Sequence, residues 1–282
     1  MSITNFIPEV WSSKLLVAYK HDLVYGNFVN TDYEGEISAI GDKVRITSIG
    51  DVTINDYSKD TDIVGPESMD DAQTSLEITE AKYFNIYVDD VDRRQAAGTI
   101  MTPAMNRAAY QLHNVSDQFI SGLYTGVAAQ NMIGSDAAPV VPTAVDAYEH
   151  LVDMRVMLDE ADVPDDGNRF CVVPPWYHGL LQKDDRYVKY DSADKVNILR
   201  TGKITEIDGM SVFKSNNVPN TAGAKYKVMA GHRDAIAFAS QINEVEAYRP
   251  QARFGDAVKG LVLYGAKLLR PTAICIGTFS KS

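Results

Sequence analysis

One stretch of this 282-residue chain constrains its fold more than any other. Between residues 51 and 80 nine acidic side chains are opposed by one base, Lys59, although strand-like alternation leads into the stretch and out of it. Val44 and Ile46 alternate with polar residues, Val52 and Ile54 mirror them, and the Gly50-Asp51 pair between them is a hairpin signal. From Leu76 a second strand keeps one parity through Ile78, Phe84, Ile86 and Val88, with Glu80 and Lys82 polar at its centre. A continuous strand over 75–88 would span roughly 45 Å, at about 3.3 Å per residue. A two-stranded ribbon of that length with so little apolar cover is marginal by itself. Either a neighbouring copy of the same chain braces it, or it is a mobile acidic flap.

The rest of the chain reads as alternating helical and extended segments, so the class is α+β. Residues 8–26 form a short amphipathic helix with Pro8 in its first turn and Val10, Trp11, Leu15, Ala18, Tyr19 and Leu23 on its face. Asp89, Asp90 and Asp92 suit a helix start, where the macrodipole favours acids. Gly98 breaks that piece, and Thr102 as N-cap before Pro103 restarts it. Met101, Met105, Ala108, Leu112, Val115, Phe119 and Leu123 then make one apolar stripe. A second amphipathic helix covers 144–161, with Val145, Tyr148, Leu151, Val152, the Arg155 stem, Met157 and Leu158 on its stripe.

Residues 163–167 form a turn, and 170–173 a short buried strand stopped by Pro174-Pro175 before a helix at 176–183. Strands at 203–207 and 210–213 flank an Asp208-Gly209 hairpin turn. Further strands are expected at 226–230, 235–239, 244–248, 258–269 and 272–278, the last two joined at Arg270-Pro271.

Apolar residues at 45% and charged residues at 23% exclude a disordered or collagen-like chain. The longest apolar runs are far too short to span a bilayer, and the N-terminus has no signal-peptide pattern. Cys171 and Cys275 are far apart, so the expectation is a reducing compartment with no disulfide framework. A net charge of -11 argues against a protein whose main task is to grip phosphate backbones, yet it leaves room for one that merely encloses nucleic acid.

No motif nominates a catalytic, cofactor or metal site. GxGxxG, GxxxxGK[ST] and GxSxG are all missing. His21, His113, His150, His178 and His232 stand apart, and none belongs to an HExxH or CxxC-type cluster. The run Asp162 to Gly167 faintly suggests a calcium loop but lacks the EF-hand spacing. Basic residues recur between 183 and 203, diluted by Asp184, Asp185, Asp191 and Asp194, which makes a weak nucleic-acid signal. That base-richer segment and the acid-rich ribbon could complement each other between subunits.

The order of elements resembles the major capsid proteins of tailed bacteriophages with the Hong Kong 97-type fold. The phrases that carry the resemblance are Phe6-Ile7-Pro8-Glu9-Val10-Trp11-Ser12, the 35–44 lead into the ribbon, Asp92-Arg93-Arg94-Gln95, and 202–212 with Ser215-Asn216-Asn217-Val218-Pro219. The closing 259–271 stretch, with Tyr264-Gly265-Ala266-Lys267 and Arg270-Pro271, fits as well. No phrase is diagnostic alone; their order is.

The resemblance implies an N-arm over 1–34, an E-loop hairpin over 35–88 and a P-domain with its spine helix over 89–143. A mainly A-domain region over 144–240 follows, and P-domain strands return over 241–282. It further implies a non-enzymatic protein without cofactor that forms pentamers and hexamers of a shell in the virion, assembled in the bacterial host cytoplasm. The shell would enclose double-stranded DNA without sequence-specific binding. Expected partners are a separate scaffolding protein, a portal and decoration proteins, with no membrane involved. Subunit-interface candidates are Trp11, Asp60, Asp62, Glu67, Arg186 and Arg200. A covalent cross-link through Lys59 has no identifiable partner asparagine or catalytic acid in the sequence. Two alternatives stay open: an encapsulin-type compartment with a protein guest, and a soluble α+β hydrolase with a mobile flap.

Overall fold

The computed structural model describes residues 24–32, 42–49, 54–57, 59, 62, 65, 71–89, 101–184, 206–252 and 254–281. Helical expectations for 8–23 and 89–100, and the segment 185–205, lie outside the described residues.

In chain order the strands are β1 (Lys43–Ile49), β2 (Asp71–Glu77) and β3 (Glu80–Asp89), followed by helix α1 (Met101–Ser121) and β4 (Met132–Ile133). Then come α2 (Asp146–Glu160), β5 (Arg169–Val173), α3 (Pro175–Leu181), β6 (Glu206–Ile207), β7 (Met210–Lys214) and β8 (Asn220–Thr221). The chain closes with β9 (Lys225–His232), β10 (Ile236–Tyr248), β11 (Gly255–Leu268) and β12 (Ile274–Ser280). Three sheets result: a β1-β2 pair, a β10-β11-β3 sheet, and a larger sheet ordered β4-β12-β9-β5-β7-β6 with β8 beside β9.

The larger sheet holds the interior. All five residues of β5 are buried, as parallel pairing with β7 on one side and antiparallel pairing with β9 on the other require. Helix α2 buries Ala147, Leu151, Met154 and Leu158 against it. The expected stripe is therefore partly wrong: Val145 is exposed, and Ala147 and Met154 take the core positions. Thr143 Oγ1 accepts from the Asp146 N–H at 3.3 Å and donates to Asp146 Oδ2 at 2.8 Å, which pulls the first turn of α2 tighter than the apolar spacing suggests. Pro174 precedes α3, whose Tyr177 donates its hydroxyl to the Ala147 carbonyl at 2.8 Å and ties the two helices. Asp208 and Gly209 have φ of 49° and 77°, the conformation a two-residue hairpin needs, so the expected turn between β6 and β7 is present.

Helix α1 lies on the three-stranded sheet. Its buried line is Met105, Ala109, Leu112 and Ile120, with His113, Ser116 and Asp117 buried among them. The sequence stripe missed this face by about one residue, because three polar side chains share the interior side. Beneath it Phe84, Ile86, Val258, Val262 and Tyr264 supply the apolar layer, and Phe119 meets Tyr264 edge-on at 5.3 Å. Gly260 is needed here: a Cβ would stand 2.4 Å from the Phe84 ring. The two strands expected at 235–239 and 244–248 are one strand, β10, carrying a register shift between Ile242 and Glu244.

Two expectations for the ribbon are overturned. β1 does not fold back at Gly50-Asp51 onto residues near Ile54; it pairs with β2, from Lys43 opposite Glu77 to Ile49 opposite Asp71. Residues 54–57 carry no strand. The 75–88 strand is also not continuous. It breaks at Ile78-Thr79, after which β3 joins β11 in a different sheet. The reason is layering: β2 runs across the face of the β10-β11 sheet, whereas β3 lies in its plane.

Candidate functional site

Strand pairing puts alternate residues on alternate faces, so the three-stranded sheet has two distinct surfaces. The face toward α1 carries the even-numbered residues of β11. The opposite face carries Ala237, Ala239, Leu263, Gly265 and Lys267 at one end, and Tyr83, Leu261, Asn85, Lys259, Glu246 and Tyr248 at the other.

The root of the β1-β2 hairpin sits on the first end. Val44, Leu76 and Ile78 form a separate buried cluster with Ala237, Ala239 and Leu263. Small residues are required beneath it, since a Cβ on Gly265 would stand 2.3 Å from the Glu77 carbonyl oxygen. Ion pairs on the hairpin are peripheral: Lys43 with Glu77 and, beyond the break, Lys82 with Glu80 at 2.8 Å. Being largely exposed, each contributes at most about 1 kcal/mol. The hairpin is therefore held at its base by a few apolar side chains.

Beyond the base, cover within the chain runs out. Ile54 is 90% exposed and Tyr57 79%. On the uncovered end of the sheet face Tyr83 is 79% exposed and opposes Leu261, also exposed. Phe254 at the nearby strand start is 82% exposed. Asn85 and Tyr248 exchange hydrogen bonds at 2.9 and 3.2 Å, and Lys259 reaches Glu246 at 2.7 Å. An apolar row flanked by satisfied polar groups is the composition of a protein contact surface. A second such surface runs along α2, where Val145 and Val156 are exposed beside Glu149, Asp153 and Glu160.

Of the interface residues expected from sequence, Asp62 is exposed, while Trp11, Asp60, Glu67, Arg186 and Arg200 lie outside the described residues. Tyr83, Leu261, Phe254, Ile54 and Tyr57 were missed. A signal for Tyr83 was present: it has the opposite parity to Phe84 and Ile86 in a strand whose apolar face was already assigned.

The segment that precedes the hairpin is clamped between layers. Asp117 on α1 accepts the backbone N–H of Val24 at 3.3 Å and of Tyr25 at 3.2 Å. Phe28 stacks on Phe170 at 5.2 Å and touches Phe213 at 4.1 Å. Asn30 bridges to β10 through Ile236 and Phe238, at 2.8 Å each. Burial pushes the Asp117 carboxyl above its ordinary range, and the N–H donors only partly offset this.

Polar clusters elsewhere are internally satisfied. Arg155 joins Asp208 at 2.7 Å, Asp165 at 3.6 Å and Asp159 at 3.7 Å. The Asp166 carboxylate meets His232 Nε2 at 3.0 Å, and the hydrogen bonds from His232 and Asn168 hold its pKa at about 2. The faint calcium-loop acids are thus engaged by cations and amides of their own chain. Among the described residues no group of three His, Cys, Asp or Glu side chains could hold a metal. Cys171 and Cys275 flank Ala230 on either side of β9, two strand spacings apart, and are free. Burial pushes both thiols up to about 12, so neither is a ready nucleophile. No described helix is long and apolar enough to cross a membrane.

Comparison with known proteins finds the same architecture in viral shells. The family model described as phage capsid protein matches residues 72–277. A structure from Mycobacterium phage Che8 is 31% identical, covers 99% of this chain and 98% of its own, and superposes with a TM-score of 0.75. The capsid of cyanophage P-SCSP1u, at 15% identity, covers 92% of this chain and 89% of its own with a TM-score of 0.74. The virus-like particle of Pyrococcus furiosus shares the fold at 13% identity, covering 95% and 98%, with a TM-score of 0.61. No curated protein matches. The layered α+β arrangement is the Hong Kong 97-type fold, and the chain belongs to the phage capsid protein family.

Proposed function

We propose that this chain is the major capsid protein of a tailed phage, a tile that closes with many copies of itself into an icosahedral shell around double-stranded DNA. Its role is structural, and its place is the capsid of the virion. The observation that carries the assembly mechanism is the hairpin: its root has a seat within its own chain, while Ile54 and Tyr57 beyond the root are left bare. A ribbon of this kind gains its missing contacts from the next copy. Many modest interfaces acting together then supply the strength of the shell.

On this reading the chain has no catalytic task. A scaffolding protein, a portal and decoration proteins are its working partners, and assembly takes place in the host cytoplasm. Asp60, Asp62 and Glu67 on the acid-rich segment would face Arg186 and Arg200 of an adjacent copy, with Trp11 anchoring the arm on a neighbour. The proposed division is an arm over 1–34, an E-loop over 35–88, a P-domain over 89–143 completed by 241–282, and a mainly A-domain region over 144–240.

Electron microscopy of the purified protein after size-exclusion chromatography tests the reading. Polyhedral shells, or rings of five and six, are expected, with nucleic acid inside native particles. A chain that stays monomeric or dimeric with its neighbouring gene products present overturns it. A protein guest in place of a genome would favour the compartment reading, whose fold is shared by the Pyrococcus furiosus particle.

A further inference from the structure

The three-stranded sheet separates two surfaces of opposite electrostatic character. On one side lies the β1-β2 hairpin, whose connecting segment belongs to the 51–80 stretch with nine acids and one base. On the other side lies α1. Its exposed face presents Asn106, Arg107, Tyr110, Gln111 and Gln118, with Asn114 half-buried between them. The only acid in this 21-residue helix is Asp117, and it is turned inward to the backbone N–H groups of Val24 and Tyr25. Arg107 makes no ion pair among the described residues. Helix α2 shows the contrast: in 15 residues it carries Asp146, Glu149, Asp153, Asp159 and Glu160.

In a chain with a net charge of -11, a long exposed helix face without a carboxylate has a specific consequence. Duplex DNA carries one negative charge per about 1.7 Å of its axis, and any surface laid against it must first avoid repelling it. Side-chain amides, a guanidinium and a phenol hydroxyl all donate to phosphate and sugar oxygens without reading sequence. Resting on the capsid reading above, we propose that the exposed face of α1 is the surface that meets the packaged duplex, and that the hairpin side faces away from it. One base per copy makes each contact weak. Repetition over the shell makes it collectively sufficient to line a container without gripping its contents.

Hydroxyl-radical footprinting of wild-type heads, DNA-filled against DNA-emptied, tests this directly. Tyr110 on α1 and Tyr83 on the hairpin side are both exposed aromatic reporters. Tyr110 is expected to oxidise several-fold more slowly in filled heads, with Tyr83 unchanged. Equal oxidation of Tyr110 in both states, or protection appearing at Tyr83 instead, overturns the proposal. As a second arm, Arg107→Glu with Gln111→Glu is expected to leave shell number and diameter unchanged while DNA-filled heads fall about tenfold. Asn85→Asp on the hairpin side, which still accepts from Tyr248, adds a negative charge there and is expected to fill normally. Filled heads at wild-type yield from the double variant sink this inference and leave the shell reading standing. Wild-type particles that never form, or that hold protein, sink both.

Discussion

Gly265 of β11 and Glu77 of β2 meet backbone to backbone, with no room for a side chain between them: a Cβ on Gly265 would lie 2.3 Å from the Glu77 carbonyl oxygen and 3.1 Å from the Ile78 Cα. Backbone atoms cannot swing aside as a flexible side chain can. Gly265→Ala is therefore expected to cost about 1–3 kcal/mol and to lift the hairpin root from the sheet. Thermal unfolding and particle yield check this; a variant that assembles with wild-type yield and stability would show the crossing to be looser than described.

Leu76 is fully buried in the small cluster beneath the hairpin, separate from the main core. Leu76→Ala is expected to cost about 2–4 kcal/mol there, because few neighbours can collapse into the space. Hydrogen exchange should then speed up in β1 and β2 while β5, β9 and β12 keep their protection. Uniform loss of protection across all strands would mean that the hairpin and the core unfold together.

Asp117 gives a pH dependence of definite sign. Its folded pKa is raised above the ordinary 3.8 by burial, so the native state takes up the proton more readily than the unfolded chain. Its contribution to stability is full below the unfolded value and is lost as pH rises through the folded one. Compared with Asp117→Asn, which cannot titrate, the wild type should gain relative stability as pH falls from neutral toward 4. Denaturant titrations across that range settle the slope, and a relative gain for the variant would reverse the assignment. Asn would also turn amide hydrogens toward the N–H groups of Val24 and Tyr25, so exchange at the 24–28 segment should rise.

Two arginines close together should behave very differently. Arg169 is buried and donates to the Pro164 carbonyl at 3.0 Å, to the Val163 carbonyl and to Asp159 at 2.6 Å. Arg169→Ala strands those acceptors and is expected to cost about 3 kcal/mol or more. Arg155 joins three acids but is about a third exposed, so Arg155→Ala should cost only about 1 kcal/mol. Chemical denaturation of both variants ranks them; the reverse order would mean that the Arg155 cluster is better shielded from solvent than its exposure indicates.

The expected complementarity between copies can be read in a charge swap. Asp60→Lys with Asp62→Lys should leave the folded subunit intact by circular dichroism and reduce shell yield, and Arg186→Glu with Arg200→Glu should restore it. Unchanged assembly after the first pair would remove the acid-rich segment from the list of contacts.

Much of the fold was legible from local chemistry. The α2 and α3 helices, β5 before Pro174, the Asp208-Gly209 turn and the closing strands follow from periodicity, proline placement and the positive φ that only certain turn residues adopt cheaply. The fully buried β5 was readable because a strand covered on both faces is apolar at every position. The contact surface was less legible. Exposed aromatics such as Tyr83 look like ordinary alternation until the sheet shows that nothing in the chain covers them.

What the sequence by itself determined is the set of elements, the acid-rich stretch that its own chain cannot cover, and the order of parts that places it in a capsid family. Tertiary structure alone decided which strands pair. Gly50-Asp51 is a sound turn signal, yet β1 passes it by and pairs with β2, because Val44, Leu76 and Ile78 can be buried together only where Ala237, Ala239 and Gly265 leave room. Local propensity for a turn is worth little beside several buried apolar side chains. The inward turn of Asp117, the out-of-step face of α1 and the break at Ile78-Thr79 have the same origin: each depends on a neighbour distant in sequence, and periodicity carries no record of it.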